Sequence, residues 1–155
     1  MAASICTEVS SEPREYPKRP WSAVGGIVFK GDDVLLVRSV KGAIRGRWTL
    51  PGGAQDVGET ILETAIREVR EETGIEIAPV GIVTAVDSLW HDEAGKPKYH
   101  YTIVEVLAEW RSGELVAGDD AEAAEWIAPE RIASLNLWSE TVRVIELARQ
   151  IRKRR

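Results

Sequence analysis

Residues 53–75 read GAQDVGETILETAIREVREETGI, from Gly53 to Ile75. Within this stretch Glu68, Glu71 and Glu72 stand at i, i+3 and i+4. At about 100° per residue they leave one side of a helix as a tight anionic cluster. Like charges this close repel, so the three glutamates are either the solvated face of a surface helix or, with the pattern around them, the seat of a divalent cation, for which an all-oxygen donor set favours magnesium or manganese over zinc. Leu62, Ile66, Val69 and Thr73 recur at helical spacing and predict a separate face for the core. Gly58 precedes the helix and Gly74 follows its last turn. Upstream, Trp48-Thr49-Leu50-Pro51-Gly52-Gly53 predicts a short strand running into a tight glycine turn, whose backbone carbonyls can approach an ion or a phosphate.

Outward from this segment the pattern alternates between strands and helices. Trp21 to Lys30 and Val34 to Arg38 predict a hairpin about the turn Gly31-Asp32-Asp33. The segment from Lys41 to Arg47 predicts a loop with three positive charges, in which Lys41, Arg45 and Arg47 form either a phosphate clamp or a solvated surface. Glu76 to Leu89 and Tyr99 to Trp110 are strand-like, separated by the polar turn from Asp92 to Pro97. Glu125 to Ala128 predicts a short strand, and Pro129 opens a short helix. Ser139 is expected to cap a last helix over 140–152, with Val142, Ile145, Leu147, Ala148 and Ile151 as its core stripe. This order suits a mixed sheet between helices.

The 155 residues fit one domain with its own core, preceded by a loose tail: 1–20 as tail and 21–155 as folded unit. A net charge of −5, with the terminal run Arg152-Lys153-Arg154-Arg155 read as a solvated helix end, argues against polymeric nucleic acid as partner. The only cysteine, Cys6, has no mate for a disulfide, and no apolar run reaches membrane-spanning length. Residues 1–20 hold Glu8, Glu12, Pro13, Glu15, Pro17 and Pro20 where a signal peptide needs an apolar core, so the expected location is the cytoplasm, without membrane association.

Residues 53–75 resemble the Nudix box, G-x5-E-x7-R-E-U-x-E-E-x-G-U with U apolar. The match runs through Gly53, Glu59, Arg67, Glu68, Val69, Glu71, Glu72, Gly74 and Ile75. The resemblance implies an α/β/α sandwich with a mixed sheet, and hydrolysis of a diphosphate linkage in a nucleoside diphosphate derivative, with Mg2+ or Mn2+ as cofactor. A diphosphate needs its charge neutralised and an attacking water activated, which a divalent cation provides. Glu68, Glu71 and Glu72 are the expected metal ligands, with the Gly53 carbonyl completing the shell. By the same resemblance Arg67 orients a glutamate, and Glu59 is an additional or indirect metal contact.

The box does not determine the general base. In some members of the family a box glutamate serves, and in others an acidic residue on a later loop does. The loop Gly118-Asp119-Asp120-Ala121-Glu122 falls where such a loop should, so Asp120 and Glu122 stand as candidates beside an ordinary acidic turn. Trp90, Tyr99 and Tyr101 are candidates for stacking on a base, and His91 and His100 are read as satisfied or exposed rather than as ligands. Trp48 either packs beneath the glycine turn or borders the site. Trp21, Trp110, Trp126 and Trp138 are read as core or helix-packing residues.

An ADP-ribose-like small nucleotide is the favoured substrate, hydrolysed by a monomer or homodimer. A nucleoside triphosphate pyrophosphohydrolase is the alternative. A proline that marks many ADP-ribose enzymes of the family about sixteen residues beyond the box would fall near His91, whereas the next downstream proline here is Pro97. A non-catalytic nucleotide-binding module is a third reading, set against the retention of every box glutamate.

Overall fold

The computed structural model describes residues 13–40, 44–118 and 121–155. Cys6, Lys41 and Asp120 lie outside the described residues. Among the described residues seven strands and two helices follow in order: β1 (Trp21–Lys30), β2 (Asp33–Ser39), β3 (Trp48–Thr49), β4 (Gly52–Ala54), α1 (Ile61–Thr73), β5 (Glu76–His91), β6 (Pro97–Ser112), β7 (Ala121–Ile127) and α2 (Ser139–Lys153). A 3-10 turn over Pro129–Leu135 joins β7 to α2.

The sheet is mixed. β1 runs parallel to β6 over nine residue pairs, from Trp21–Tyr101 to Phe29–Glu109, and β6 pairs antiparallel with β5. The other edge of β1 is shared. β2 takes its C-terminal end and β4 its N-terminal end, and β2 in turn pairs with β3 and β7. A β1–β6 parallel pair needs a long crossover, and here the crossover carries the box helix.

Alternation along β1 and β6 divides the core between two faces. Val24, Val28, Val106 and Ala108 meet Ala65 and Val69 of α1. Ile27, Phe29 and Leu107 meet Val144, Ile145 and Ala148 of α2. Helices therefore cover both faces of the sheet, the α/β/α sandwich. Each fully buried Val, Leu, Ile or Phe contributes about 1.5–3 kcal/mol from loss of water contact.

The helices sit slightly rotated from the sequence expectation. On α1 the buried positions are Thr64, Ala65, Val69 and Thr73, while Leu62 is 38% exposed. On α2 they are Thr141, Val144, Ile145 and Ala148, while Val142 faces solvent. In both cases small residues approach the sheet and a larger neighbour is turned outward, because close helix–sheet contact depends on volume as well as polarity. Ser139 is the first helical residue of α2 rather than its cap; Trp138 takes the cap position with no side-chain hydrogen bond and is 44% exposed. Trp110 and Trp126 pack on the α1-side cluster as expected. β7 starts at Ala121, four residues before the expected strand. Residues 13–20 lie against the β5–β6 hairpin: the Tyr16 N–H donates to Lys98 O at 2.8 Å and its hydroxyl to Asp92 at 2.8 Å. Among the described residues no helix is long and apolar enough to cross a membrane.

Candidate functional site

The site begins at the N-terminus of α1. Thr60 caps the helix: its hydroxyl accepts from the Glu63 N–H, while the Glu63 carboxylate accepts from the Thr60 N–H. This reciprocal box, readable as Thr60-x-x-Glu63, sets where the helix starts and thus which side residues 67–72 present. At the other end the Gly74 N–H donates to Arg70 O.

Arg67 organises the carboxylates. All five of its guanidinium N–H groups are engaged. Nε reaches Glu59 Oε2 at 2.6 Å, Nη2 reaches Glu59 Oε1 at 2.9 Å and Ala54 O at 3.0 Å, and Nη1 reaches Glu68 Oε1 at 2.8 Å and Glu71 Oε2 at 3.2 Å. The bidentate contact with Glu59 ties helix to loop, and the bond to Ala54 ties helix to β4. The Arg67 hydrogen bonds and the Asp56 N–H hold the Glu59 carboxyl well down, at about 2. The same partnership raises Arg67 above the usual arginine range.

Glu68 is the most enclosed of these carboxylates, its side chain 14% exposed against 58% for Glu71. Burial pushes its carboxyl up, and Arg67 opposes the shift. It leans over Gly53, where an added Cβ would stand 2.5 Å from Glu68 Oε1, so a larger residue there would displace the carboxylate. Glu72 Oε2 accepts from the Gly52 N–H at 3.0 Å, holding the glycine turn against the helix.

One guanidinium serves Glu59, Glu68 and Glu71, so negative charge is in excess among these groups. With Glu72 and the Gly53 backbone nearby, the donor set is all oxygen and suits a hard divalent cation. Among the described residues no three His, Cys, Asp or Glu side chains already converge on one point. Glu68 Oε1 and Glu71 Oε2 are instead turned to Arg67.

The later loop packs on the far end of this helix. The Val116 N–H donates to Thr73 O at 2.9 Å and the Gly118 N–H to Glu72 O at 2.8 Å. These bonds carry the chain to the C-terminal end of α1, immediately before the acidic candidates. Asp120 is outside the described residues. Glu122 is paired with Arg38 at 3.3 Å on the solvent side of β7.

The substrate-contact candidates are dispersed. Arg45 and Arg47 are exposed in the loop before β3. Trp90 and Tyr99 are cross-strand partners near the tip of the β5–β6 hairpin; Trp90 Nε1 donates to Ser88 Oγ and the Tyr99 hydroxyl to Glu15. Tyr101 pairs with Trp21 on the strand that borders β4. Trp48 packs against the α2-side cluster. One group escaped the sequence reading: Glu105, a buried carboxylate in the middle of β6, signalled only by its interruption of the apolar run Ile103-Val104-Glu105-Val106-Leu107.

Comparison with known proteins identifies the family of the chain. The NUDIX domain family matches residues 19–148. An ADP-ribose pyrophosphatase of Methanocaldococcus jannaschii is 34% identical over 107 residues, covering 69% of this chain and 61% of that protein. The NAD-capped RNA hydrolase NudC of Pseudomonas aeruginosa is 31% identical over 122 residues, covering 78% of this chain and 40% of that protein. The chain thus spans about three-fifths or less of these curated relatives. Among solved structures, a MutT NUDIX hydrolase from Burkholderia pseudomallei aligns with a TM-score of 0.72 at 26% identity, covering 84% of this chain and 98% of that one.

Proposed function

The chain belongs to the Nudix family, and from that premise we propose that it is a metal-dependent hydrolase of the diphosphate linkage in a nucleoside diphosphate derivative, with an ADP-ribose-like molecule as favoured substrate. The observation that carries this reading is the Arg67 hub, which holds Glu59, Glu68 and Glu71 at one rim beside the glycine turn. The likeness to an ADP-ribose pyrophosphatase supports the substrate class.

Glu68, Glu71 and Glu72, with the Gly53 carbonyl, would hold the cation. When bound, a divalent cation neutralises the diphosphate oxygens and acidifies water at the site. Arg67 keeps Glu59 ionised and fixes the direction of Glu68. A proton must also leave the attacking water. Asp120 and Glu122 are the loop candidates for receiving it, and Glu68, raised by burial, is the candidate within the box. Arg45 and Arg47 are proposed to meet phosphate oxygens, and Trp90, Tyr99 and Tyr101 to stack on the nucleoside. The intended setting is the cytoplasm.

A nucleoside triphosphate pyrophosphohydrolase is the second reading. It is favoured by what stands about sixteen residues beyond the box: position 91 is His91 rather than a proline, and the next proline downstream, Pro97, is its cross-strand partner. The test is hydrolysis of ADP-ribose, NADH, diadenosine polyphosphates and nucleoside triphosphates in magnesium, with products separated by chromatography. AMP and ribose 5-phosphate from ADP-ribose support the first reading. Pyrophosphate release from a triphosphate, with ADP-ribose left intact, replaces it with the second. No turnover of any of them would leave a binding module.

A further inference from the structure

Glu105 is 5% exposed, and its Oε2 is buried without a hydrogen-bond partner among the described residues. Such a group costs stability, and in a native protein it calls for an explanation. The neighbouring strand makes a matching concession. Gly25 is the cross-strand partner of Glu105, and any Cβ at position 25 would collide with Glu105 Oε2. Glycine inside a central strand weakens it. Two residues that each weaken the sheet therefore combine to keep one carboxyl at one place.

That place is connected to the diphosphate site. Glu105 pairs with Gly25, Gly25 pairs with Gly52, and the Gly52 N–H donates to Glu72 Oε2. Two inter-strand spacings, about 10 Å, separate Glu105 from the glycine turn. This is the kind of separation that a ribose places between a base and its diphosphate. Around Glu105 on the α2 face, register positions two residues away hold Ile103, Leu107 and Ile27. The 3-10 turn Pro129–Leu135 rests on this apolar cluster through Ile132 and Leu135 yet has no buried residue. A turn held by so few buried side chains opens at low cost.

One carboxyl among apolar side chains suits a flat heteroaromatic ring, whose face meets the hydrocarbon and whose polar edge meets the oxygens. A sugar presents hydroxyls all round and would leave most of them unpaired there. We propose that Glu105 reads the nucleobase of the substrate, taking the N–H edge that carries its exocyclic amino group. The inference rests on the hydrolase reading. Burial alone pushes the carboxyl up to about 7, so near neutral pH it can serve as acceptor or donor at that edge.

The experiment compares wild type, Glu105→Gln and Glu105→Leu on paired substrates that differ by one amino group: adenine against purine, and guanine against hypoxanthine, on the same ribose diphosphate. Wild type should favour the amino-bearing member of at least one pair by tenfold or more in kcat/KM, mostly through KM. Glu105→Leu should abolish that preference while its Tm equals or exceeds that of wild type, and Glu105→Gln should keep part of it. An unchanged preference in Glu105→Leu, an equal loss on both members of each pair, or no wild-type preference overturns the inference. If wild type hydrolyses nothing, the hydrolase reading fails by itself. Calorimetric binding of AMP and GMP to wild type and Glu105→Leu then still decides the role of Glu105: weaker binding in the variant supports it, and equal or absent binding overturns it.

Discussion

Glu68 and Glu105 are both glutamates drawn out of water against the same sheet, one on the α1 rim and one on the α2 face, and the chain treats them in opposite ways. Glu68 is met by Arg67, which also holds Glu59 and Glu71 and is anchored to Ala54 O. Glu105 meets no partner among the described residues for its Oε2. Each lies over a glycine, Gly53 and Gly25, where a Cβ would displace the carboxylate. The contrast separates two uses of a withdrawn carboxyl. On the rim, charge is fixed in direction by hydrogen bonds to one guanidinium. On the α2 face, one carboxylate oxygen is left without a partner among the described residues, at a cost in stability.

The largest effect is expected at the rim. Glu71→Gln or Glu72→Gln keeps shape and removes ligand charge, so kcat should fall by about 10³-fold or more while the far-ultraviolet dichroism and Tm stay near wild type. Near-normal turnover in both variants would remove the rim from the chemistry. Next comes the proton acceptor. A general base is typically worth about 10²–10⁴-fold, so whichever of Asp120→Asn and Glu122→Gln loses that much, with metal affinity retained, identifies it. If neither does, Glu68 becomes the acceptor, and the rim then supplies both ligands and base.

The α2 face predicts an effect on stability rather than rate. Folded, Glu105 keeps its proton up to about pH 7, against an ordinary value of 4.5; burial is the cause, with no neighbouring charge contributing. The folded state therefore binds the extra proton between these values, and stability falls as pH rises from 4.5 to 7 and then levels. The difference is worth about 3 kcal/mol. Chemical denaturation of Glu105→Gln should show a weaker decline over that window, and parallel curves would mean that the carboxyl is solvated or paired. The smallest effect is at the cap. Thr60→Ala should cost about 1 kcal/mol of stability, read from the denaturation midpoint, with only a modest change in kcat.

The rim was largely legible because its chemistry is written as spacing. Gly53, Glu59, Arg67, Glu68, Glu71 and Glu72 fall within 20 positions, and a single helix with its leading loop brings them together. The sandwich was legible too, since strand and helix periodicities alternate along the chain. What escaped depends on packing between distant segments. Leu62 and Val142 satisfy a helical stripe yet face water, because Ala65, Ala148 and their neighbours allow closer approach to the sheet. Trp138 looks like a core residue by type but lies exposed at the start of α2. Glu105 acquires its meaning only when β1 is laid parallel to β6 and Gly25 arrives beside it, a pairing 80 positions apart that no local pattern announces.

The most direct test of the account is ADP-ribose turnover by wild type, Glu71→Gln and Glu72→Gln, each with magnesium and after chelation by EDTA. The account predicts AMP and ribose 5-phosphate from wild type with magnesium, loss of both on chelation, and about 10³-fold less product from either variant. Equal AMP formation in the presence of EDTA, or from both variants at the wild-type rate, would contradict it.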